Sequence, residues 1–254
     1  MIRTASIAML LGLLLLCLML QAPARLLPAL LPGQPFYLAG VSGTVWHGQA
    51  SRAVLQTSAG PVALGRVEWW LNPWSLPMFS PVVTVNSQWG SQHLSARVQL
   101  HGDKDIGLED VSATISAALL RQVAPLAVDG QFSLQVRYLR VRDGLPVAAE
   151  GRLVLEHGVW NAPRGRLPLG SYVLEVGPAP AGTALNEDAA LSGQVTTLAG
   201  PVAAEGRVSL AGRDYRLDIR IGGDRPLDPM LQQGLSLMAQ PVGNAYHLQL
   251  SGSL

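Results

Sequence analysis

Five histidines stand at positions 47, 93, 101, 157 and 247, and none of their spacings makes the paired set that a metal site needs. His93 and His101 are an even number of residues apart, so one strand could carry both on one face. Gly102 turns the chain directly afterwards, and solvated strand-end histidines are the simpler reading. Asp103-Lys104-Asp105-Ile106-Gly107-Leu108-Glu109-Asp110 has oxygen ligands near those of a calcium loop. It lacks the full spacing, however, and sets a lysine among them, so a polar turn explains it. Gly40-Val41-Ser42-Gly43 falls one residue short of a nucleophile elbow, and no strand-to-helix turn follows it. The glycines fall at turn spacing rather than in a phosphate-binding loop. The sequence therefore predicts no enzyme, no catalytic residue, no metal and no cofactor.

Aromatic residues are more concentrated. Trp46, Trp69, Trp70, Trp74 and Trp89 crowd into one third of the chain, where Pro73, Pro77 and Pro81 interrupt a strand. Indole tolerates both a packed core and a boundary with lipid or protein. Trp69 and Trp70 are neighbours on a strand and must face opposite sides, so one belongs to the core and the other is available for contact. The candidate contact patch is Trp46, Trp69, Trp70 and Trp74.

The elements that position these residues are strands. In Gln131-Phe132-Ser133-Leu134-Gln135-Val136-Arg137-Tyr138 the even positions are apolar, as a strand with one wet face requires. The phase flips at Leu139-Arg140-Val141-Arg142, which a β-bulge accommodates, and Asp143-Gly144 then turns the chain. Tyr215, Leu217, Ile219 and Ile221 alternate with Arg216, Asp218 and Arg220 after a turn at Gly212-Arg213-Asp214, which predicts a hairpin. Residues 94–100 and 246–250 are further strands. The connections are too short for crossover helices, so the pattern is antiparallel throughout. Pro-Val-Ala-Ala-Glu-Gly-Arg occurs identically at 146–152 and 201–207, with a looser echo at 61–67, and marks a recurrent strand start.

Two short helices are expected. Leu108, Val111, Ile115 and Leu119 make one apolar stripe closed by Pro125. Asp228-Pro229 caps the other, with Met230, Leu231, Leu235 and Met238 as its stripe. Each is expected to plug or cap the sheet. The turn-rich stretch 177–182 could divide two half-sheets.

From Ala5 to Leu20 no residue is charged. A membrane span needs about 20 apolar residues, and the reading is a signal-anchor over 7–27, with Leu10, Leu14 and Leu18 in its core. Arg3 and the amino terminus place residues 1–6 in the cytoplasm and residues 28–254 across the membrane. Ala22-Pro23-Ala24 resembles a signal-peptide cleavage site, but Pro23 and Arg25 flank it and retention is favoured. Cys17 sits within the apolar run behind the bulky Leu16, unlike a lipidated cysteine.

After Cys17 the chain has no cysteine, so no disulfide or thiolate metal site supports the fold. The net charge is +1 with lysine nearly absent, which sets nucleic acid aside as a partner. Charged residues make up 14%, against about 25% in soluble domains, so much of the surface is buried or neutral enough to meet protein or lipid.

Gly43-Thr44-Val45-Trp46-His47-Gly48-Gln49-Ala50, then Val67-Glu68-Trp69-Trp70-Leu71-Asn72-Pro73-Trp74-Ser75-Leu76, and the closing Gly243–Gly252 stretch resemble the type II secretion system protein N (general secretion pathway protein N) family. The resemblance covers most of the chain. It implies a non-enzymatic, single-pass inner-membrane accessory subunit of the machine that exports folded proteins across the outer membrane of Gram-negative bacteria. Its partners would be other type II secretion subunits, the inner-membrane platform or the secretin, with membrane lipid around the anchor. The fold expected is mainly β: a large curved antiparallel sheet, trough or open barrel, behind a transmembrane helix. An AsmA-like periplasmic sheet that binds lipid or another hydrophobic ligand shares the same texture and is the alternative.

Overall fold

The computed structural model describes residues 20–27, 36–57, 60–77, 80–102, 104–117, 128–162, 165–178, 191–223 and 226–253. Its strands are β1 (Phe36–Gly43), β2 (His47–Thr57), β3 (Gly60–Leu71), β4 (Val82–Trp89), β5 (Gln92–Gly102), β6 (Asp105–Ser116) and β7 (Val128–Arg142). They continue as β8 (Leu145–Ala162), β9 (Gly165–Pro178), β10 (Leu191–Ala199), β11 (Ala203–Ala211), β12 (Asp214–Gly222), β13 (Gln240–Val242) and β14 (Ala245–Ser253). Among the described residues an α-helix, α1 (Pro229–Ser236), precedes β13. All strands join a single sheet in chain order, except that β14 pairs with β12 and β13 lies outermost. Every neighbouring pair is antiparallel, and β1 does not pair with β13, so the sheet is open.

Register sorts the side chains into two faces. Trp69, Val85, Ala96, Val111, Val136, Val176, Val208, Leu217 and Leu250 lie on one face by successive strand pairing. The intervening positions, such as Glu68, Asn86, Arg97, Ser112, Gln135, Arg152, Glu175, Arg207 and Asp218, form the other. This is the alternation that a sheet with one apolar and one wetted face demands. The buried apolar residues are chiefly alanines, among them Ala50, Ala53, Ala96, Ala113 and Ala149, with Trp69 as the large ring. Most larger side chains on the apolar face are only half-buried.

The hairpins follow their turn residues. Asp143 and Gly144 both adopt positive φ, 51° and 79°, and close β7 onto β8 with Arg142 opposite Leu145. A two-residue turn of this type matches the strand twist. The phase flip in β7 is a bulge between Val136 and Tyr138 that leaves Arg137 unmatched across from Glu150 and Gly151. The repeats begin β8 and run into β11, and the looser echo begins β3.

Two expectations need correction. The helix stripe expected over residues 108–119 falls mostly on a strand: 105–116 is β6, and Leu119 lies outside the described residues. Asp110, at φ 50°, forms a bulge opposite β5, so Ile106 and Leu108 before it share a face with Val111, Ala113 and Ile115 after it. Inserting one residue into a period of two reproduces the i, i+3 step of a helix stripe. Of the two expected helices, α1 is the one that stands among the described residues. At α1, Asp228 accepts from the Met230 N–H at 2.8 Å, with Pro229 at the first helical position. Nor do residues 177–182 divide the sheet: Gly177 and Pro178 belong to β9, which pairs with β10, and the remainder lie outside the described residues.

Most of the expected membrane anchor, including Leu10, Leu14 and Leu18, also lies outside the described residues. Within them no helix is long and apolar enough to cross a membrane. Residues 22–27 form a bridge and a short 3-10 turn against the sheet: Pro23 pairs with Thr44, and the Val45 N–H donates to the Ala22 carbonyl at 2.9 Å.

Candidate docking site

Strand parity divides the tryptophans. Trp69 shares its face with Val67 and Leu71 and is 8% exposed; its indole N–H donates to the Val45 carbonyl at 3.1 Å. Its ring lies over Gly48, where an added Cβ would collide with the indole. Ala24, fully buried, and Ala50 complete this core, with Leu27, Leu38, Val41, Val83 and Val85 packed around it. Trp70 points the other way and is 63% exposed, stacked on His47 with ring centroids 4.8 Å apart. His47 faces Trp70 in register across β2 and β3.

The chain then leaves β3 through a short 3-10 turn, Pro73–Ser75. The Asn72 side chain caps it by accepting from the Trp74 N–H at 3.1 Å. The Ser75 hydroxyl donates to the Asn72 carbonyl at 2.6 Å and accepts from the Val82 N–H at 2.9 Å, which fixes the return into β4. Trp74 rides on this rigid turn and is 83% exposed. Trp46 belongs to the same margin, since its carbonyl accepts from the Leu71 N–H at 2.7 Å. The structure thus brings Trp46, Trp69, Trp70 and Trp74 to one margin, beside Ala22–Leu27, whereas Trp89 ends β4 on the opposite margin.

The polar face is tied by ion pairs. Arg140 reaches Asp105 at 2.7 Å and Arg142 reaches the same carboxylate at 3.4 Å. The Arg140 hydrogen bond, helped by both positive charges, holds the Asp105 carboxyl down to about 2 against some opposing desolvation. Asp218 is likewise lowered, first by its hydrogen bond to His247 at 2.6 Å. On the apolar side, the Tyr172 hydroxyl sits between the Leu169 and Val202 carbonyls at 2.9 and 2.8 Å, and burial pushes its pKa up to about 12. Among the described residues no three His, Cys, Asp or Glu side chains gather into a set able to hold a metal ion. His93 and His101 are both exposed on β5. Gly40–Gly43 is the end of strand β1. The charged groups of the polar face are largely paired, and the tryptophan margin presents exposed aromatic rings at Trp70 and Trp74.

Residues 35–248 match the family described as Type II secretion system (T2SS), protein N. The chain belongs to that family. It is also 27% identical over 241 residues to the Type II secretion system protein N of Aeromonas hydrophila, covering 89% of this chain and 88% of that protein. No solved structure matches. The resemblance carried by the Gly43–Ala50 and Val67–Leu76 motifs thus stands. Those motifs are the segments that build the Trp69 core and present Trp70 and Trp74. Sequence reasoning did not single out Tyr37, which is exposed on the edge strand β1, or Asn72, which fixes the Trp74 turn. An Asn-Pro pair ahead of an aromatic residue was the available signal for the latter.

Proposed function

We propose that the protein is a non-enzymatic accessory subunit of the type II secretion system, an inner-membrane-anchored interaction module serving export of folded proteins across the outer membrane. On this reading residues 1–6 are cytoplasmic, 7–27 anchor the chain and 28–254 form the periplasmic domain. Retention of the anchor is supported by Ala24, which is built into the sheet's core; cleavage behind it would detach a packed segment. Membership of a secretion family does not favour lipid carriage as the main role.

The observation that carries the reading is the contrast between Trp69, locked in the core, and Trp70 and Trp74, held out on rigid backbone beside it. Tryptophan is enriched where partners bury their strongest contacts, and a preformed anchor loses little entropy on docking. The adjacent sheet edge supports the same role. β13 is three residues long with Pro241, a protected edge, whereas β1 spans eight residues without proline or charge. A partner strand could add to β1 beside the tryptophan margin.

The test is crosslinking and co-purification of the full-length protein from native inner membranes, compared with Trp74→Ala. Recovery of platform or secretin subunits with the parent chain, and their loss with the variant at equal accumulation, is the expected result. Unchanged recovery and unchanged secretion with the variant would remove the patch from the proposal.

A further inference from the structure

The proposed anchor leaves the sheet no slack. Residues 5–20, the sixteen without charge, would span about 24 Å as a helix, against a hydrocarbon core of about 30 Å. A span that short draws its flanking residues into the interface. Two residues beyond Leu20, at most about 7 Å of chain, the Ala22 carbonyl already accepts from the Val45 N–H, and Pro23 then bridges to Thr44. Ala24, fully buried, locks this attachment from the apolar side of the sheet. The membrane-spanning part of the anchor therefore ends near Leu20, and the margin that carries the 43–47 turn stands at the bilayer surface. Trp74 belongs to that margin. The Trp46 carbonyl, beside the attachment, accepts from the Leu71 N–H at 2.7 Å, and the capped turn Pro73–Ser75 follows at once.

We infer that the Trp70 and Trp74 site is used in the plane of the membrane, and that its partner is a protein embedded in the same bilayer. A partner held elsewhere would have to reach down to the bilayer surface to cover Trp74. The chemistry of the margin favours protein over lipid headgroups. The turns 43–47 and 71–77 contain no lysine, arginine, aspartate or glutamate, whereas segments that seek an anionic membrane surface join their aromatic residues to basic ones. Trp70 is braced by the His47 ring and Trp74 by its capped turn. An uncharged, rigid aromatic platform suits the packed centre of a protein interface, where charge is depleted and tryptophan enriched. The neutral edge strand β1 ends at Gly43 on the same margin, so one partner meets both features. The inference rests on the anchor and the docking patch of the proposed function, and it names the class of partner that the patch takes.

The experiment places the photocrosslinker p-benzoylphenylalanine singly at Trp74, at Trp70, or at Trp89 on the opposite margin of the full chain. Native membranes are irradiated and the crosslinked peptides are mapped by mass spectrometry. Two patch positions guard against failure of one variant to accumulate. A further version of the Trp74 variant carries a flexible Gly/Ser spacer of about 20 residues between Gln21 and Ala22, which frees the domain from the bilayer surface. Expected at Trp74 and Trp70 are adducts several-fold above those at Trp89, on a protein with its own membrane span and at peptides that flank that span. The spacer should lower the Trp74 yield several-fold by diluting the site away from the surface. Adducts on a soluble or outer-membrane protein overturn the shared bilayer and leave the docking patch standing. An unchanged yield with the spacer overturns the role of the short tether. Phospholipid adducts alone, or no adduct at either patch position, overturn the patch and the inference together. Release of the chain from washed membranes overturns the anchor on which both depend.

Discussion

The two regions of the apolar face use the same residue types and finish differently. At β1–β4 the space above Gly48 is taken by the Trp69 ring, and Ala24 and Leu27 close the remaining side. At β7–β11 no ring lies over Gly151 and Gly193; an added Cβ there would meet the Gln135 carbonyl and the Leu174 Cδ1 instead, and an apolar cavity of about 360 Å³ lies among the half-buried leucines and valines beside them. A glycine on this sheet face thus admits an aromatic ring in one region and a close approach of neighbouring strands in the other. The first arrangement makes a packed platform for the exposed Trp70 and Trp74; the second leaves the larger apolar side chains half-buried. Stability should concentrate at the first region.

The largest expected effect tests that division. Trp69→Ala should cost about 3–5 kcal/mol in urea unfolding, since it removes a buried ring and leaves a cavity. Leu174→Ala, half-buried beside the apolar cavity, should cost about 1–2 kcal/mol, because less area leaves water there. Equal costs would mean that the β7–β11 face is as tightly packed as the tryptophan core, and the comparison would fail.

A smaller effect sharpens it at the glycines. A Cβ on Gly151 would meet the Gln135 carbonyl and the Val136 Cα at 2.7 and 2.8 Å, and one on Gly206 would meet the Asp218 carbonyl and the Ile219 Cα. These are the same position in the two Pro-Val-Ala-Ala-Glu-Gly-Arg copies. Gly151→Ala and Gly206→Ala should therefore each cost about 1–3 kcal/mol. Gly177→Ala, with open space around it, should stay within about 0.5 kcal/mol. If Gly177→Ala were as costly, backbone freedom rather than close strand approach would be the cause.

Next in size is Tyr172→Phe. It removes the hydroxyl shared by the Leu169 and Val202 carbonyls, which joins β9 to the turn before β11. A loss of about 1–2 kcal/mol is expected, with hydrogen exchange rising on β10 and β11 and unchanged on β2 and β3. Faster exchange in both regions would show that they unfold as one unit.

Much of this arrangement could be read in the sequence, and the limits have a physical pattern. Alternation assigned strands wherever the period of two ran unbroken, as in 215–221, and Asp143-Gly144 gave a turn because both positive-φ positions suit those residues. The Asp228-Pro229 cap was equally local. Reading failed at 108–119 because one bulge residue, Asp110, converts strand spacing into helix spacing, and only a partner strand distinguishes the two. The seven-residue repeat was visible, but its meaning was not: Gly151 and Gly206 matter through the close approach of their paired strands β7 and β12, which only the register shows. Likewise, parity showed that Trp69 and Trp70 face apart, whereas choosing the core member required knowing which face was covered.

The smallest prediction concerns the polar back of the sheet. Both regions carry ion pairs there: Arg66 with Glu68 at 3.4 Å on β3, and Arg97 with Asp110 at 2.9 Å, Arg140 with Asp105 at 2.7 Å, and Arg137 with Glu150 across β5–β8, where Asp105 alone faces two arginines. Exposed pairs contribute little individually, so the sensitive probe is pH. Asp105 is depressed in the folded protein to about 2 from an ordinary 3.8, chiefly by Arg140. Its folded form therefore binds a proton less readily than its unfolded form, and the stabilisation is complete above about pH 4 and disappears as pH falls toward 2. Asp105→Asn should lower the midpoint of thermal unfolding slightly at pH 5, and the difference from the parent should shrink steadily between pH 4 and 2. Exchange on β6 and β7 should follow the same course while β2 and β3 stay level. A difference that is constant across that range would assign the role of Asp105 to packing rather than charge, and the two regions would then be held by the same kind of force.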